Sequence, residues 1–226
     1  MMDNGLSKSE VIDFLVQSRA LKFGDFTLKS GRKAPYFINT GCFDDGTKIA
    51  KLSHFYARQI LAAGLGDVDV VFGPAYKGIP LCVSTAMTLA SHYSTPMSFC
   101  FNRKEAKTRG EGGEYVGKPL TPGMKVVLVE DVVTAGTTLH EVIPVLREKV
   151  GVRIAGVVIL VDRDEKATSE VSAVKQAEAE LDIKITSIVT IHDIISYLSR
   201  ENSSKFTIDE DLMKRVKTYR SEFGAS

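Results

Sequence analysis

Val126-Val127-Leu128-Val129-Glu130-Asp131-Val132-Val133-Thr134-Ala135-Gly136-Thr137-Thr138 is an apolar run that ends in two carboxylates and then turns through small, hydroxylated residues. A short, continuous run of β-branched and aliphatic side chains reads as a strand covered on both faces, which places it in a parallel sheet. The small residues after it lead into a helix. The backbone N–H groups of Thr134 to Thr138, with the helix N-terminus, form a concave anion site, and Gly136 lets a phosphate approach without meeting a Cβ. Glu130 and Asp131 would repel a naked polyphosphate, so beside an anion site they make sense facing hydroxyls or a bound cation. A ribose 2′,3′-diol meets that need. An isolated acid pair before a helix is often no more than charge on the helix dipole; the complete thirteen-residue string is what makes the reading specific.

Working outward, the pattern alternates. Before the string the sequence predicts a helix from 48 to about 63, a strand at 68–72, a helix at 79–90 and a strand at 97–101. The string itself carries the strand 125–129. After it come a helix at 138–148, a strand at 154–161, a helix from about 169 to 181 and a strand at 183–190. Strands alternating with helices define an α/β fold, with a central, mainly parallel sheet flanked by helices. Pro144 should bend or shorten the helix that begins at 138. Upstream, Ser7-Lys8-Ser9-Glu10 has the form of a capping box before an amphipathic helix ending near 19. Strands at 23–28 and 36–39, around Ser30-Gly31-Arg32-Lys33, predict a small hood over about 21–43. Thr207-Ile208-Asp209-Glu210 predicts a second capping box opening a C-terminal helix.

A chain of 226 residues, 44% hydrophobic and 25% charged, is expected to form a single domain spanning 1–226. Its formal net charge of +1 supplies no field for nucleic acid or an anionic membrane. Cys42, Cys82 and Cys100 are odd in number and far apart, which excludes a disulfide framework and a C-x-x-C zinc site. His54, His92, His140 and His192 show no metal-ligand spacing and read as ordinary surface or helix residues. The first nineteen residues lack a signal-type apolar stretch, and no run is long enough to span a bilayer, so the expectation is a cytoplasmic protein.

Three other segments carry candidate chemistry. The stretch 27–39 combines cations and hydroxyls with aromatic residues in a tight turn, although such a cluster is often just a solvated hairpin. Phe72-Gly73-Pro74-Ala75-Tyr76-Lys77-Gly78-Ile79-Pro80 is a strand-to-helix turn that aims a lysine at the carboxyl end of the sheet, where ligands of open α/β sheets lie. The stretch 101–114 is nearly devoid of apolar side chains and holds three glycines and several cations. Taken alone it reads first as a mobile, salt-bridged surface loop, although its cations and glycines also describe a lid over pyrophosphate. Other phosphate motifs are missing: there is no G-x-x-x-x-G-K-[ST], and Gly64-Leu65-Gly66 precedes a strand and lacks a third glycine. That disfavours nucleotide hydrolases and dinucleotide-dependent dehydrogenases.

The string 130–138 resembles the binding motif for 5-phosphoribosyl 1-diphosphate (PRPP) in type I phosphoribosyltransferases. Together with the other three segments, in the same order and at compatible spacing, it makes nearly the whole chain similar to the orotate phosphoribosyltransferases. The resemblance implies a type I phosphoribosyltransferase fold and transfer of the phosphoribosyl group of PRPP to orotate, giving orotidine 5′-phosphate and pyrophosphate. It implies PRPP contacts from Lys29, Tyr76, Lys77, Glu130, Asp131, Val132, Val133, Thr134, Ala135, Gly136, Thr137 and Thr138. Arg103, Lys104, Lys107 and Arg109 would bind pyrophosphate from a mobile catalytic loop at about 103–117 that crosses to the neighbouring subunit of a homodimer. Lys29, Phe37, Ile38, Thr134 and Arg163 would face orotate, an arginine fork matching a carboxylate in two places. Lys77, Arg103, Lys104, Lys107 and Asp131 would carry the catalytic work. Mg²⁺ would arrive with PRPP and sit near Glu130 and Asp131.

This sequence departs from the family pattern at three places. It has Thr108-Arg109 for the usual Asp-His, Glu130-Asp131 for two aspartates, and Ile38 for a second aromatic residue. Glu130 is expected to keep its charge, while Arg109 can clamp pyrophosphate but cannot shuttle a proton as histidine can. Two alternative functions remain: a phosphoribosyltransferase for another nucleobase, and a PRPP-sensing regulator. The near-zero net charge weighs against a regulator that also binds nucleic acid.

Overall fold

The computed structural model of the chain describes residues 7–28, 31–107, 113–134, 136–166, 170–199 and 208–225. Helix α1 (Lys8–Gln17) opens at Ser7, whose side chain accepts from Glu10 N at 3.5 Å, and buries Val11, Ile12, Phe14 and Leu15. Strands β1 (Leu21–Thr27) and β2 (Lys33–Ile38) pair antiparallel as a separate hairpin, the expected hood, with a 3-10 turn at Thr40–Cys42 behind it. Asp45 then caps α2 (Gly46–Ala62) through Lys48 N at 2.8 Å.

The central sheet begins with β3 (Val70–Gly73), followed by α3 (Gly78–Tyr93), β4 (Ser98–Lys107) and β5 (Gly113–Gly117). Strand β6 (Lys125–Val132) leads into α4 (Thr137–Val145), β7 (Arg153–Asp162), α5 (Ala173–Leu181) and β8 (Ile185–Thr190). Among the described residues, α6 (Ile191–Leu198) and α7 (Glu210–Phe223) follow. The six strands lie in the order β5-β4-β3-β6-β7-β8, all parallel except β5. The expected mainly parallel α/β sheet is present.

The apolar runs divide by the two-residue period of a strand. Val127, Val129, Val158 and Leu160 join a core with α1, α2, α3, α6 and α7, whereas Val126, Leu128, Val157 and Ile159 join a second core with α4 and α5. Both faces of the sheet are therefore dry. Each such side chain contributes about 1.5–3 kcal/mol on burial, and the paired runs are what commit these segments to the sheet centre.

Several expectations need correction. The stretch 103–117 is not an irregular loop at its two ends. Strand β4 runs on to Lys107 because the free edge of the parallel sheet takes β5 as an antiparallel partner, Cys100 opposite Gly117 and Asn102 opposite Tyr115. The residues between them, 108–112, lie outside the described residues, as does Thr207. Helix α7 is capped by Asp209, whose side chain accepts from Leu212 N at 2.8 Å. Helix α6 was not anticipated, although Thr190 and Asp193 form a reciprocal capping box there. Pro144 shortens α4 as expected: the α-helix stops at Val145 and a π turn at Leu146–Val150 follows. No helix among the described residues is long and apolar enough to cross a membrane.

The end of β3 and the start of α3 approach so closely that a side chain fits at neither glycine. A Cβ on Gly73 would lie 1.9 Å from the Gly78 carbonyl oxygen, and one on Gly78 would lie 2.6 Å from the Gly73 carbonyl carbon. We expect Gly73→Ala to cost about 3 kcal/mol, the upper end of ordinary overpacking, because backbone rather than a flexible side chain must yield. Thermal unfolding measures this; a variant as stable as the parent would show that the two segments separate freely.

Candidate active site

Strands β3, β6 and β7 are parallel neighbours, so their carboxyl ends open at one edge of the sheet, where open α/β folds form crevices. A cavity of 770 Å³ lies there, closed on one side by Phe37 and Ile38 of the hairpin. Its floor is the end of β6. Tyr76 and Lys77 enter from the turn after β3, and Arg163 from the segment after β7.

Asp131 is buried, yet it is the best-supported charge in the cavity. Its Oδ2 accepts from Lys77 Nζ at 2.7 Å and from Thr40 Oγ1, and its Oδ1 accepts from Val132 N at 2.7 Å. Burial raises the carboxyl's pKa, but the hydrogen bonds from Lys77 and Thr40 outweigh it and hold the group below the usual aspartate range. Among the described residues, no cation is salt-bridged to Glu130. Burial, and then the Asp131 charge beside it, push its carboxyl up to about 8. Of the two acids, the surroundings favour the charged form of Asp131 and push Glu130 toward its neutral form. A neutral carboxyl can donate as well as accept, and a ribose hydroxyl can do both.

Beyond β6 the chain turns through Thr134 and Gly136 into α4. Gly136 sits at φ +70°, the left-handed region, and a Cβ there would lie 3.1 Å from the His140 ring. No side chain caps α4. Its first N–H groups therefore face the cavity beside Thr137 and Thr138, with the positive end of the helix dipole behind them. His140 braces this turn through Nδ1, 2.9 Å from the Gly136 carbonyl oxygen, while Nε2 meets Glu180 at 2.7 Å. Those two contacts raise the imidazole pKa.

Arg163 is 8% exposed, and its guanidinium lies 5.4 Å from the Tyr36 ring centre. Of the anticipated site residues, Phe37, Ile38, Tyr76, Lys77, Glu130 to Thr134, Gly136 to Thr138 and Arg163 share the one cavity. Arg103 and Lys104 lie on β4 and are not among its walls. Lys29, Arg109, Ala135 and the side chain of Lys107 lie outside the described residues. The sequence reading missed Thr40, and it missed Asn102, whose Oδ1 accepts from Ala75 N at 2.8 Å and steadies the turn that carries Lys77. It also gave His140 no role.

A doubly covered parallel sheet, ending in an acid pair and an uncapped helix behind a glycine turn, is the architecture of enzymes that hold an activated ribose phosphate. Residues 40–194 match the phosphoribosyl transferase domain, and the chain belongs to the phosphoribosyltransferase family. It is 49% identical to the orotate phosphoribosyltransferase of Bifidobacterium longum over 221 residues, 94% of this chain and 96% of that protein. To the enzyme of that name from Photorhabdus laumondii it is 45% identical over 215 residues, covering 95% and 97% of the two chains. The crystal structure of orotate phosphoribosyltransferase from Francisella tularensis superposes with a TM-score of 0.82 at 39% identity, covering 96% of this chain and all of that one. Within the family, the chain stands with the orotate phosphoribosyltransferases.

The unequal acids make a pH prediction. A carboxyl whose folded pKa exceeds its unfolded value stabilises the fold fully below the unfolded value and loses that contribution as pH rises through the folded one. Stability should therefore fall from about pH 5 to about pH 8 as Glu130 gives up its proton, with a slope of up to about 1.4 kcal/mol per pH unit; above about pH 8 the loss is complete and the slope vanishes. Glu130→Gln should flatten this slope relative to the parent in denaturant titrations. Parallel pH dependences in the two proteins would mean that Glu130 is ionised throughout.

Proposed function

We propose that the protein transfers the 5-phosphoribosyl group of PRPP to orotate, forming orotidine 5′-phosphate and pyrophosphate, a step of pyrimidine nucleotide synthesis. The observation that carries this is the single cavity in which the α4 anion turn, the acid pair, Lys77 and Arg163 converge. The turn through Thr134, Gly136, Thr137 and Thr138 takes the 5′-phosphate, with Ala135 between them. Asp131 and Glu130 take the ribose hydroxyls. Lys77 and Tyr76 would serve the pyrophosphate side and Arg163, Phe37 and Ile38 the base side; Lys29, outside the described residues, would serve the junction of base and ribose.

As the bond from C1 of the ribose to pyrophosphate breaks, positive charge grows on the sugar, and an orotate nitrogen then bonds to C1. No covalent intermediate with the protein is needed. Catalysis is positioning and charge stabilisation: Lys77 gives up Asp131 for the leaving pyrophosphate, and Asp131 is freed for the diol. Glu130 and Asp131 offer adjacent carboxyl groups, and among the described residues no cluster of three or more His, Cys, Asp or Glu side chains builds a cation site. That donor set fits Mg²⁺ carried in by PRPP, since Mg²⁺ keeps water and phosphate oxygens beside one or two carboxylates. When bound, it would neutralise charge on the departing pyrophosphate.

Arg103 and Lys104 do not line the cavity of their own chain, which supports service from the 103–117 segment to a second copy in a homodimer. Lys107 and Arg109 belong to the same segment. Arg109 would act there as a fixed positive charge. A cytoplasmic setting is part of the same proposal.

Incubation of the protein with PRPP, Mg²⁺ and orotate, and in parallel with uracil, hypoxanthine or adenine, tests the substrate by absorbance. Orotate alone should be consumed; turnover of another base without orotate would overturn the proposal. Lys77→Ala should lower kcat/KM for PRPP by about 10²-fold, the usual effect of losing one preorganised donor to a developing anion. A loss below about 3-fold would remove Lys77 from the leaving-group side.

A further inference from the structure

Arg163 does not stand alone in the cavity wall. Glu165, two residues on, accepts through one oxygen, Oε1, from Arg163 Nε at 3.1 Å and Nη2 at 2.8 Å, and from the Tyr36 hydroxyl at 2.6 Å. The two charged side chains are 9% and 12% exposed, and Tyr36 is fully buried. Tyr36 also lies under the guanidinium, with the Tyr219 ring edge-on to it at 5.6 Å. The arginine thus has an aromatic floor and a carboxylate along one side.

Glu165 is itself held from both sides. The backbone around it is tied to the end of α7: Lys166 N donates to Phe223 O and Ala225 N to Asp164 O, each at 2.9 Å. Arg220 Nη1 donates to Arg163 O at 3.1 Å, and Arg32 Nη1 donates to Lys166 O at 3.0 Å. These bonds stop the carboxylate from following the guanidinium if that group moves.

We infer that Glu165 is a positioning residue for the base subsite, gripping Arg163 along its Nε–Nη2 side so that Nη1 and the outer N–H of Nη2 present the fork to the carboxylate of the base. The inference rests on the assignment of Arg163 to orotate. A guanidinium carries five N–H groups in a rigid plane, and Glu165 engages two, which leaves the two-toothed end open. Charge alone would argue against this neighbour, because a carboxylate beside the arginine weakens its pull on an anion. Its contribution is geometric: it suppresses the other rotamers of a long side chain before the substrate arrives.

Steady-state kinetics on Arg163→Ala, Glu165→Ala, Glu165→Gln and Tyr36→Phe, with both substrates varied, test it. Glu165→Ala should raise KM for orotate about 10-fold or more, as misplacement of a binding group does, while KM for PRPP stays within about 2-fold. Selectivity for orotate over uracil should fall. Glu165→Gln, which keeps an acceptor, should restore part of the loss, and Tyr36→Phe should raise KM for orotate by a smaller factor. If Glu165→Ala fails to fold, the Gln and Tyr36→Phe variants carry the test. An unchanged KM for orotate in Arg163→Ala would overturn the underlying assignment. Should Arg163→Ala lose orotate while the Glu165 and Tyr36 variants bind it as well as the parent or better, the positioning role alone is wrong. An equal rise in both KM values would reduce Glu165 to a structural role and also overturn the inference.

Discussion

Strand β6 is the constraint on which the rest of the molecule depends. It is hydrogen-bonded to β3 on one side and β7 on the other, and both its faces are covered by helices. Its buried backbone groups must be satisfied within the protein, and the parallel ladders do most of this, with side chains completing it at the strand's end, where Tyr56 donates to the Glu130 carbonyl oxygen and Val132 N to Asp131 Oδ1. Parallel pairing makes all three strands end at the same edge. The turns after β3, β6 and β7 must then converge, whatever their own sequences, and the Gly73–Gly78 contact draws the first of them against the sheet end. The cavity is a consequence of strand direction before any functional side chain is considered.

The end of β6 presents an electrostatic problem that is solved unequally. Two adjacent buried carboxylates cannot both ionise cheaply near neutrality. Lys77 and Thr40 stabilise the charge on Asp131, while burial and that charge push the Glu130 carboxyl upward. Lys77 is 62% exposed at its side chain and Asp131 only 8%, so the lysine can leave without desolvation cost to itself, whereas the aspartate cannot move. An incoming ligand with anionic and hydroxyl groups can replace both halves of this pair at once. Pairing with Lys77 keeps the buried Asp131 carboxylate from standing as an uncompensated charge.

Much of this was legible in the sequence because it is written in local patterns. The alternation of strands and helices, the apolar run of β6 and the glycine turn after it all lie within short windows, and the structure places them as read. The missed helix α6 was local too: Thr190-Ile191-His192-Asp193 carries a capping signal that merged into the preceding strand pattern. Strand β5 was harder, since Gly113–Gly117 has little apolar character and becomes a strand only because the edge of β4 needs a partner. The charge state of Glu130 could not be read at all. It depends on burial and on the charge of Asp131, which Lys77 pairs from 54 residues upstream.

The residues that escaped the sequence reading share a physical character. Thr40 supports Asp131, Asn102 supports the Ala75 backbone, His140 supports Gly136, and Glu165 with Tyr36 supports Arg163. Each contacts a group that faces the cavity without lying in the motif that supplies it, and several reach across from another element. A motif lists the groups that meet a ligand, because only their spacing is local. Rigidity comes from partners that the fold brings together later. Since a misplaced side chain loses most of its advantage within about 1 Å, these supports decide how much of the motif's chemistry is realised, and Arg163 shows the limiting case: without the Tyr36 floor and the Glu165 side wall, its long side chain would be one cation among many rotamers.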